Sequence, residues 1–271
     1  RKKNGGVLEY NCPQSLPSTT TKNNKEDVLF KTYYLEEETQ PLFYNNETYF
    51  LNNFRNHTFD GWPRTFTQHK EYVHDFKTKY FDIKDGDRIY ESACGIGLNL
   101  YATLEILQFT NITVYGNEYL KENTEKANVI LDTLLKGTSH HKGIICHADS
   151  TNLSHVPENS FDLVFTGYIS PLYDPLQFES SFDENYEIMD KICSDSYNND
   201  GQLVAKKLVQ IMRERQEQWY YTWVQQMIRI AKPNVSVIIE EISLPYCIDG
   251  NDWGGVDIEF WRKEELWNTI I

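Results

Sequence analysis

Two glycines placed one residue apart, Gly95 and Gly97, interrupt the segment RIYESACGIGLNLYATLEIL, which covers residues 88–107. The segment begins with the pattern of a strand and ends with that of a helix. Glycines in such a turn let a ligand approach the backbone, and the start of the helix presents unpaired N–H groups to it. A tight turn with no ligand is the alternative, because short glycine motifs are common. The pattern predicts a ligand site between the strand and the helix.

Two acidic residues follow later predicted strands. Glu118 ends the strand in VYGNEY, 21 residues after Gly97. A carboxylate at that place in an α/β sheet can accept both hydrogen bonds from a ribose diol, although it can also cap the helix that it precedes. Asp149 stands in HADST, where an Asx turn is the simplest interpretation of its side chain. Both acids are therefore candidates for ligand contacts.

Strands and helices alternate around these residues. The hydrophobic periodicity predicts strands at about 88–92, 112–117, 143–147, 161–166 and 235–242, and helices at about 97–109, 120–136 and 203–231. Alternation of this kind indicates an α/β fold with a doubly wound, mostly parallel sheet and helices on both faces. Ligands of such sheets bind at the carboxyl ends of the strands.

The glycine segment closely resembles motif I of the class I S-adenosylmethionine (SAM) dependent methyltransferases. The shared pattern is acid-x-small-x-Gly-x-Gly from Glu91 to Gly97. Residues 146–165, CHADSTNLSHVPENSFDLVF, resemble the family segment G-D-A-x-x-L-P-x-x-x-x-F-D-x-V, and RIAKPNVSVIIEE resembles its last helix–turn–strand segment. The dinucleotide pattern G-x-G-x-x-G fits less well, because its third glycine is Leu100 here.

The resemblance covers about 85–245 and implies a Rossmann-like fold, SAM as cofactor and S-adenosylhomocysteine as product. It implies that Glu118 binds the ribose hydroxyls, that Tyr119 lies beside the adenine and that Asp149 accepts from the adenine amino group. A backbone N–H of Ser150 would lie beside the adenine, and Glu91 would order the loop. The full predicted set of cofactor residues is Glu91, Ala93, Gly95, Gly97, Asn117, Glu118, Tyr119, Asp149, Ser150 and Thr166.

Composition divides the chain into a flexible arm (1–30), an aromatic-rich cap (31–84) and a SAM-binding domain (85–271) with a lid at about 167–202. Family insertions at these places commonly close over the methyl acceptor. We expect Tyr168 and Tyr173 to position the acceptor. Trp62, Arg64, His69 and Trp253 are expected to bind it, the aromatics as a wall that favours cationic groups, Arg64 as a carboxylate anchor and His69 as a base. Core packing, a surface salt bridge and an ordinary helix histidine are the respective alternatives.

The net charge of −14, from 26 basic and 40 acidic residues, disfavours a nucleic-acid partner. The sequence contains no apolar run of about 18 residues that would span a membrane, and no metal cluster. The expected function is methyl transfer to the N, O or S atom of a small molecule, an amine or thioether being favoured, by in-line displacement. A protein methyltransferase, a non-catalytic partner subunit and a dinucleotide oxidoreductase are the alternatives, and the oligomeric state is left open.

The five cysteines, at positions 12, 94, 146, 193 and 247, form no CxxC pair. We expect free thiols in a reducing compartment such as the cytoplasm, or in an organelle if a targeting segment has been removed. Asn-x-Ser/Thr sequons occur at Asn46, Asn56, Asn111, Asn152 and Asn234. They are interpreted as accidental, because two of them fall in the second strand and in a cofactor loop, where a glycan is not expected to fit.

Overall fold

A computed structural model describes residues 7–14, 83–107, 109–166 and 203–239 of the chain. The acceptor residues predicted from the sequence lie outside the described residues, as do the lid and all of the cap except residues 83 and 84. These acceptor residues are Trp62, Arg64, His69, Tyr168, Tyr173 and Trp253. Their roles stay predictions. Within the described residues, no helix is both long enough and apolar enough to cross a membrane.

Five parallel strands form one sheet. They are β1 (Arg88–Ser92), β2 (Thr113–Glu118), β3 (His141–His147), β4 (Phe161–Thr166) and β5 (Ala231–Ile238), in the spatial order β3-β2-β1-β4-β5. Every pairing between neighbours is parallel, and the order reverses between β1 and β4. The predicted doubly wound sheet is therefore confirmed. Its carboxyl ends at β1 and β4 mark the switch point where ligands bind in such folds.

Three helices are described: α1 (Leu98–Leu107), α2 (Lys121–Leu134) and α3 (Leu203–Ile230). Helix α2 contacts α1, β2 and β3. Its buried residues recur every three or four positions, because one stripe of a helix faces the core. They are Asn123, Thr124, Ala127, Ile130, Leu131 and Leu134. Hydrophobic periodicity thus places α2 beside the strand ends that carry Glu118.

The chain divides into two compact units. The sheet with α1 and α2 lies in one unit, Arg1–Gly167 and Arg229–Ile238, and most of α3 lies in the other, Tyr168–Ile228 and Ile239–Ile271. Within α3, the ring of Trp223 is fully buried and lies 5.7 Å from the rings of both Trp219 and Tyr220.

Strand β5 begins at Ala231, earlier than the position near 235 that the Pro233-Asn234 turn predicts. Ala231 pairs with Phe161 and Ser236 pairs with Leu163, so β5 passes five positions where β4 passes two. Proline has no N–H to donate to a neighbouring strand, and the extra residues therefore leave the regular ladder. The predicted turn exists, but it is a bulge inside the strand.

Residues 7–14 are attached to the sheet, although the sequence predicts a flexible arm over 1–30. The N–H of Leu8 donates to the hydroxyl of Tyr115 at 2.7 Å, and the ring of Tyr10 stacks on that of Tyr115 at 6.2 Å. Cys12 forms a disulfide with Cys146 of β3, their Cα atoms 5.3 Å apart. The expectation of free thiols is wrong for these two cysteines. Their separation of 134 residues explains why spacing could not reveal the pair.

Candidate functional site

The two glycines that follow β1 have different structural roles. Both have a positive φ, 54° at Gly95 and 81° at Gly97, which suits glycine. A Cβ added to Gly95 would have no atom within 4 Å, whereas one added to Gly97 would lie 3.0 Å from Leu131 Cδ1 of α2. The backbone at Gly95 therefore faces open space that a ligand can use. Gly97 instead allows α2 to approach the loop.

Glu118 joins the loop after β1 to the start of α2. Its Oε2 accepts the N–H of Gly95 at 2.9 Å, and its Oε1 accepts the N–H of Leu120 at 3.0 Å. Leu120 is the N-cap residue of α2, so Glu118 holds the chain just before the helix and does not cap the N–H groups of its first turn. Burial raises the pKa of this carboxyl above its ordinary value, and the N–H groups of Leu120, Gly95 and Tyr119 oppose the rise. Each carboxylate oxygen can accept two hydrogen bonds, which leaves acceptor capacity for a ligand.

Tyr119 and Asp149 stand at the ends of neighbouring strands. Tyr119 is 36% exposed, an unusual amount for a large side chain among the described residues. Asp149 forms the Asx turn that its sequence context suggests, because its Oδ1 accepts both the N–H and the hydroxyl of Thr151, each at 2.8 Å. Both contacts use one carboxylate oxygen. An accessible aromatic ring thus follows the carboxyl end of β2, and a carboxylate held by Thr151 follows that of β3.

A buried hydrogen-bond network lies behind these residues. The amide of Asn117 donates to the carbonyl of Ala148 at 3.0 Å and to Ser150 Oγ at 2.9 Å, and it accepts from the hydroxyl of Tyr90 at 3.0 Å. Ser92 donates to the same Ser150 Oγ at 3.0 Å. The network ties the ends of β1 and β2 to the loop after β3.

Sequence reasoning places Asn117 and Ser150 in the cofactor set and misses Tyr90 and Ser92. The amide of Asn117 is fully buried and uses both its hydrogens inside the protein, so we assign its side chain a positioning role. Polar residues at the ends of otherwise apolar, buried strands are the sequence signal that could have revealed this network, because buried polar groups need hydrogen-bond partners.

Gly116 of β2 is another residue that sequence reasoning misses. A Cβ there would lie 2.8 Å from the carbonyl oxygen of Glu91 and 3.2 Å from Cys94 Sγ. The N–H of Cys94 donates to the carbonyl of Asn117 at 2.9 Å, which holds the glycine loop against β2. The side chain is absent from Gly116 because the loop occupies its space.

The other predicted members of the set are Glu91, Ala93 and Thr166. Glu91 and Thr166 are buried, and Thr166 pairs with Ser92 at the ends of β4 and β1. Ala93 has a positive φ of 57° in the same loop as Gly95. All ten predicted cofactor residues therefore lie at or next to the carboxyl ends of β1 to β4 in one unit. Among the described residues, no group of three His, Cys, Asp or Glu could hold a metal ion.

Cys94 is the free cysteine of the described residues, and it is buried. Burial raises the pKa of its thiol well above the ordinary value, and the nearby carboxylates of Glu91 and Glu118 raise it further. A protonated, buried thiol is a poor nucleophile. The site as described therefore offers acceptors and backbone donors for binding, with no activated sulfur.

Comparison with known proteins finds no matching family model and no matching curated protein. Solved structures do match. A provisionally assigned SAM-dependent methyltransferase from Methanococcus maripaludis is 13% identical with a TM-score of 0.38, over 76% of this chain and 68% of that one. A SAM-dependent methyltransferase from Aquifex aeolicus is 12% identical with a TM-score of 0.37, over 76% of this chain and 87% of that one.

The five-stranded parallel sheet in the order β3-β2-β1-β4-β5 is consistent with a Rossmann-like methyltransferase fold. The [4+2]-cyclase SpnF also matches, with 14% identity and a TM-score of 0.41. The match covers 74% of this chain and 56% of the cyclase.

Proposed function

We propose that this protein is a methyltransferase that uses SAM and acts on a small-molecule acceptor. One observation carries the proposal: the hydrogen bond between the N–H of Gly95 and Oε2 of Glu118, which brings the glycine loop and the acid together at the switch point. Open space in front of Gly95 and the exposed ring of Tyr119 adjoin this contact.

The residues present fit the proposed cofactor. Glu118 would accept from the ribose hydroxyls, Tyr119 would lie against the adenine and Asp149 would accept from its amino group. The open backbone at Gly95 and the start of α1 would receive the carboxylate of the methionine moiety, since helix N-termini favour anions. When bound, SAM supplies an electrophilic methyl group. The protein's own contribution is to hold the acceptor in line and to exclude water.

A nicotinamide or flavin dinucleotide is less well supported. Leu100, where the dinucleotide pattern has its third glycine, is a fully buried residue of α1. Its side chain belongs to the same apolar core cluster as Leu104 and Leu131. The position therefore holds a packed leucine where the dinucleotide pattern uses a glycine to let the helix pack closely against the strand.

The small-molecule acceptor is favoured by the acidic net charge of −14, which opposes binding to nucleic acid. An amine or a thioether is the proposed acceptor class, on the basis of the aromatic residues predicted from the sequence. A protein acceptor and a non-catalytic partner role are the alternatives, and turnover with small amines, thioethers and peptides distinguishes the three.

Calorimetric titration with SAM and S-adenosylhomocysteine tests the proposal. We expect micromolar binding to the intact protein and at least a tenfold loss in Glu118→Ala, because hydrogen bonds to a charged acceptor contribute about 1.5–3 kcal/mol each. Glu125→Ala is the matched control: it removes a carboxylate that is 67% exposed on α2 and should leave affinity unchanged. Absence of binding by the intact protein would contradict the proposal, as would equal affinity in the two variants.

A further inference from the structure

Three of the five sequons lie in the described residues, and all three asparagines are exposed. They are Asn111, Asn152 and Asn234. Asn111 precedes the first residue of β2 by two positions and Asn152 follows Asp149 in a turn, so neither side chain is inside the sheet. The expectation that a glycan has no room is therefore wrong for Asn111, which lies outside the strand. Exposure on a turn is what an N-linked glycan requires of its asparagine.

Asn111 and Asn234 share one edge of the sheet. Asn111 lies before β2, and Asn234 lies in the bulge of β5 between the residues that pair with Phe161 and Leu163, the first part of β4. Since all strands are parallel, both positions belong to the amino-terminal edge, opposite the proposed SAM site. Asn152 is different because it lies three residues after Asp149. The inference concerns Asn111 and Asn234 alone.

Backbone conformation explains part of this pattern but not all of it. Asn111 and Asn234 have φ values of 59° and 63°, and asparagine tolerates such values better than most residues. That preference accounts for the asparagine, and it places no demand on Thr113 or Ser236 two positions later. Asn159 has a similar φ of 52°, and the residue two positions later is Phe161, so no sequon arises there.

The disulfide between Cys12 and Cys146 is an independent observation that points to the same environment. Stable disulfides form in oxidising compartments such as the secretory lumen, and they are rare where glutathione keeps thiols reduced. N-linked glycosylation of Asn-x-Ser/Thr belongs to secreted proteins as well. The disulfide thus replaces the expectation of a reducing compartment.

We propose that this chain matures in an oxidising secretory compartment and carries N-linked glycans on Asn111 and Asn234. The glycans project from the amino-terminal edge of the sheet and leave the carboxyl edge open to ligands. This inference does not depend on methyl transfer, since it rests on the sequons, their exposure and the disulfide.

The direct test uses the protein purified from its own cells. Peptide-N-glycosidase treatment in ¹⁸O-labelled water converts a glycosylated asparagine to labelled aspartate, and mass spectrometry without reduction shows the cross-linked peptide. We expect label at positions 111 and 234, together with the Cys12–Cys146 cross-link. Unmodified asparagine at both positions, or reduced Cys12 and Cys146, would overturn the proposal.

A matched pair of variants separates glycosylation from effects on the backbone. In the full chain secreted from eukaryotic cells, Ser236→Ala destroys the sequon and keeps Asn234 itself, whereas Ser236→Thr keeps the sequon. We expect Ser236→Ala to lose one glycosidase-sensitive step in gel mobility and Ser236→Thr to retain it. Asn111→Gln should lose a second step. Identical, glycosidase-insensitive mobility of all these proteins would contradict the proposal.

Discussion

At both edges of the sheet, carboxylates accept hydrogen bonds from backbone N–H groups, but the carboxylates differ in how deeply they are buried. At the amino edge, carboxylates accept backbone N–H groups to close turns: Asp85 accepts from Thr110 at 2.8 Å, and Asp87 accepts from Lys84 at 2.7 Å. At the carboxyl edge, Glu118 accepts from Gly95 and Leu120, but it is only 8% exposed.

The difference in burial separates a structural carboxylate from a candidate functional one. Asp85 can close its turn while hydrated, which costs little. Glu118 makes equivalent bonds after losing most of its water, and burial is the largest cause of its raised pKa. Burial also raises the pKa of the half-buried Asp87 at the amino edge. The fuller burial of Glu118, beside open space, is what makes it the candidate functional acid.

The largest effect is expected from Asn117→Ala at the carboxyl edge. Loss of its three buried hydrogen bonds leaves Tyr90, Ala148 and Ser150 short of a partner, and we expect the free energy of unfolding to fall by about 2–4 kcal/mol. Asp85→Ala, at the exposed amino edge, should cost about 1 kcal/mol or less. Urea unfolding of both variants measures the contrast. Equal losses would show that burial does not distinguish the edges.

A smaller difference in stability is expected between Gly97→Ala and Gly86→Ala. Both glycines have a positive φ, 81° and 89°, so each substitution carries a similar backbone strain of about 1–2 kcal/mol. Only at Gly97 does the added Cβ meet α2, at 3.0 Å from Leu131, and overpacking should add about 1–3 kcal/mol. Unfolding midpoints measure this difference. A Gly86 variant as unstable as the Gly97 variant would contradict the packing role of Gly97.

The smallest effect, and the most specific, is the pH dependence of Glu118. In the folded protein the pKa of Glu118 is raised above the ordinary 4.5. Between these two pKa values, the native state therefore binds more protons than the unfolded state. Stability conferred by this group is therefore present at lower pH and lost as the pH rises through the raised pKa. Affinity for SAM should change in the opposite direction, because only the ionised carboxylate accepts both ribose hydrogen bonds.

Calorimetry of SAM binding and urea unfolding across the same pH range test this pair of slopes. Glu118→Gln should flatten both, since glutamine does not titrate. Parallel slopes for binding and stability in the intact protein, or unchanged slopes in Glu118→Gln, would remove Glu118 from the proposed ribose contact.

Periodicity predicts the sheet well because parallel strands buried on both faces are nearly continuous apolar runs. Strands β1 and β4 coincide with their predicted ranges, and β2 and β3 begin within two residues of theirs. The sequence predicts the start of β5 near 235, four residues after its actual start at Ala231, because a bulge lets the strand include Pro233. The hydrophobic pattern indicates which residues are buried. It does not indicate where a bulge lets a strand continue through a proline.

The candidate site is predictable only in part, for a similar reason. Gly95 and Glu118 stand at the ends of their predicted elements, so topology alone brings them to one edge. The partner of Gly97 is Leu131, the partner of Asn117 is Ser150, and the partner of Cys12 is Cys146. Each of these contacts joins residues far apart in the chain. Their identity depends on packing in three dimensions, which spacing in one sequence does not contain.

The disulfide also imposes an order on biosynthesis. Cys12 leaves the ribosome 134 residues before its partner, and β1, α1, β2 and α2 are all made in that interval. The segment around Cys12 can therefore be attached only after these four elements have been made, and until then its thiol must not pair with another cysteine. Closing a loop of this length would stabilise the finished domain by about 5 kcal/mol on chain-entropy grounds. A nascent chain arrested before Cys146 would offer Cys12 to an oxidoreductase as a mixed disulfide, and release of the arrest would resolve it.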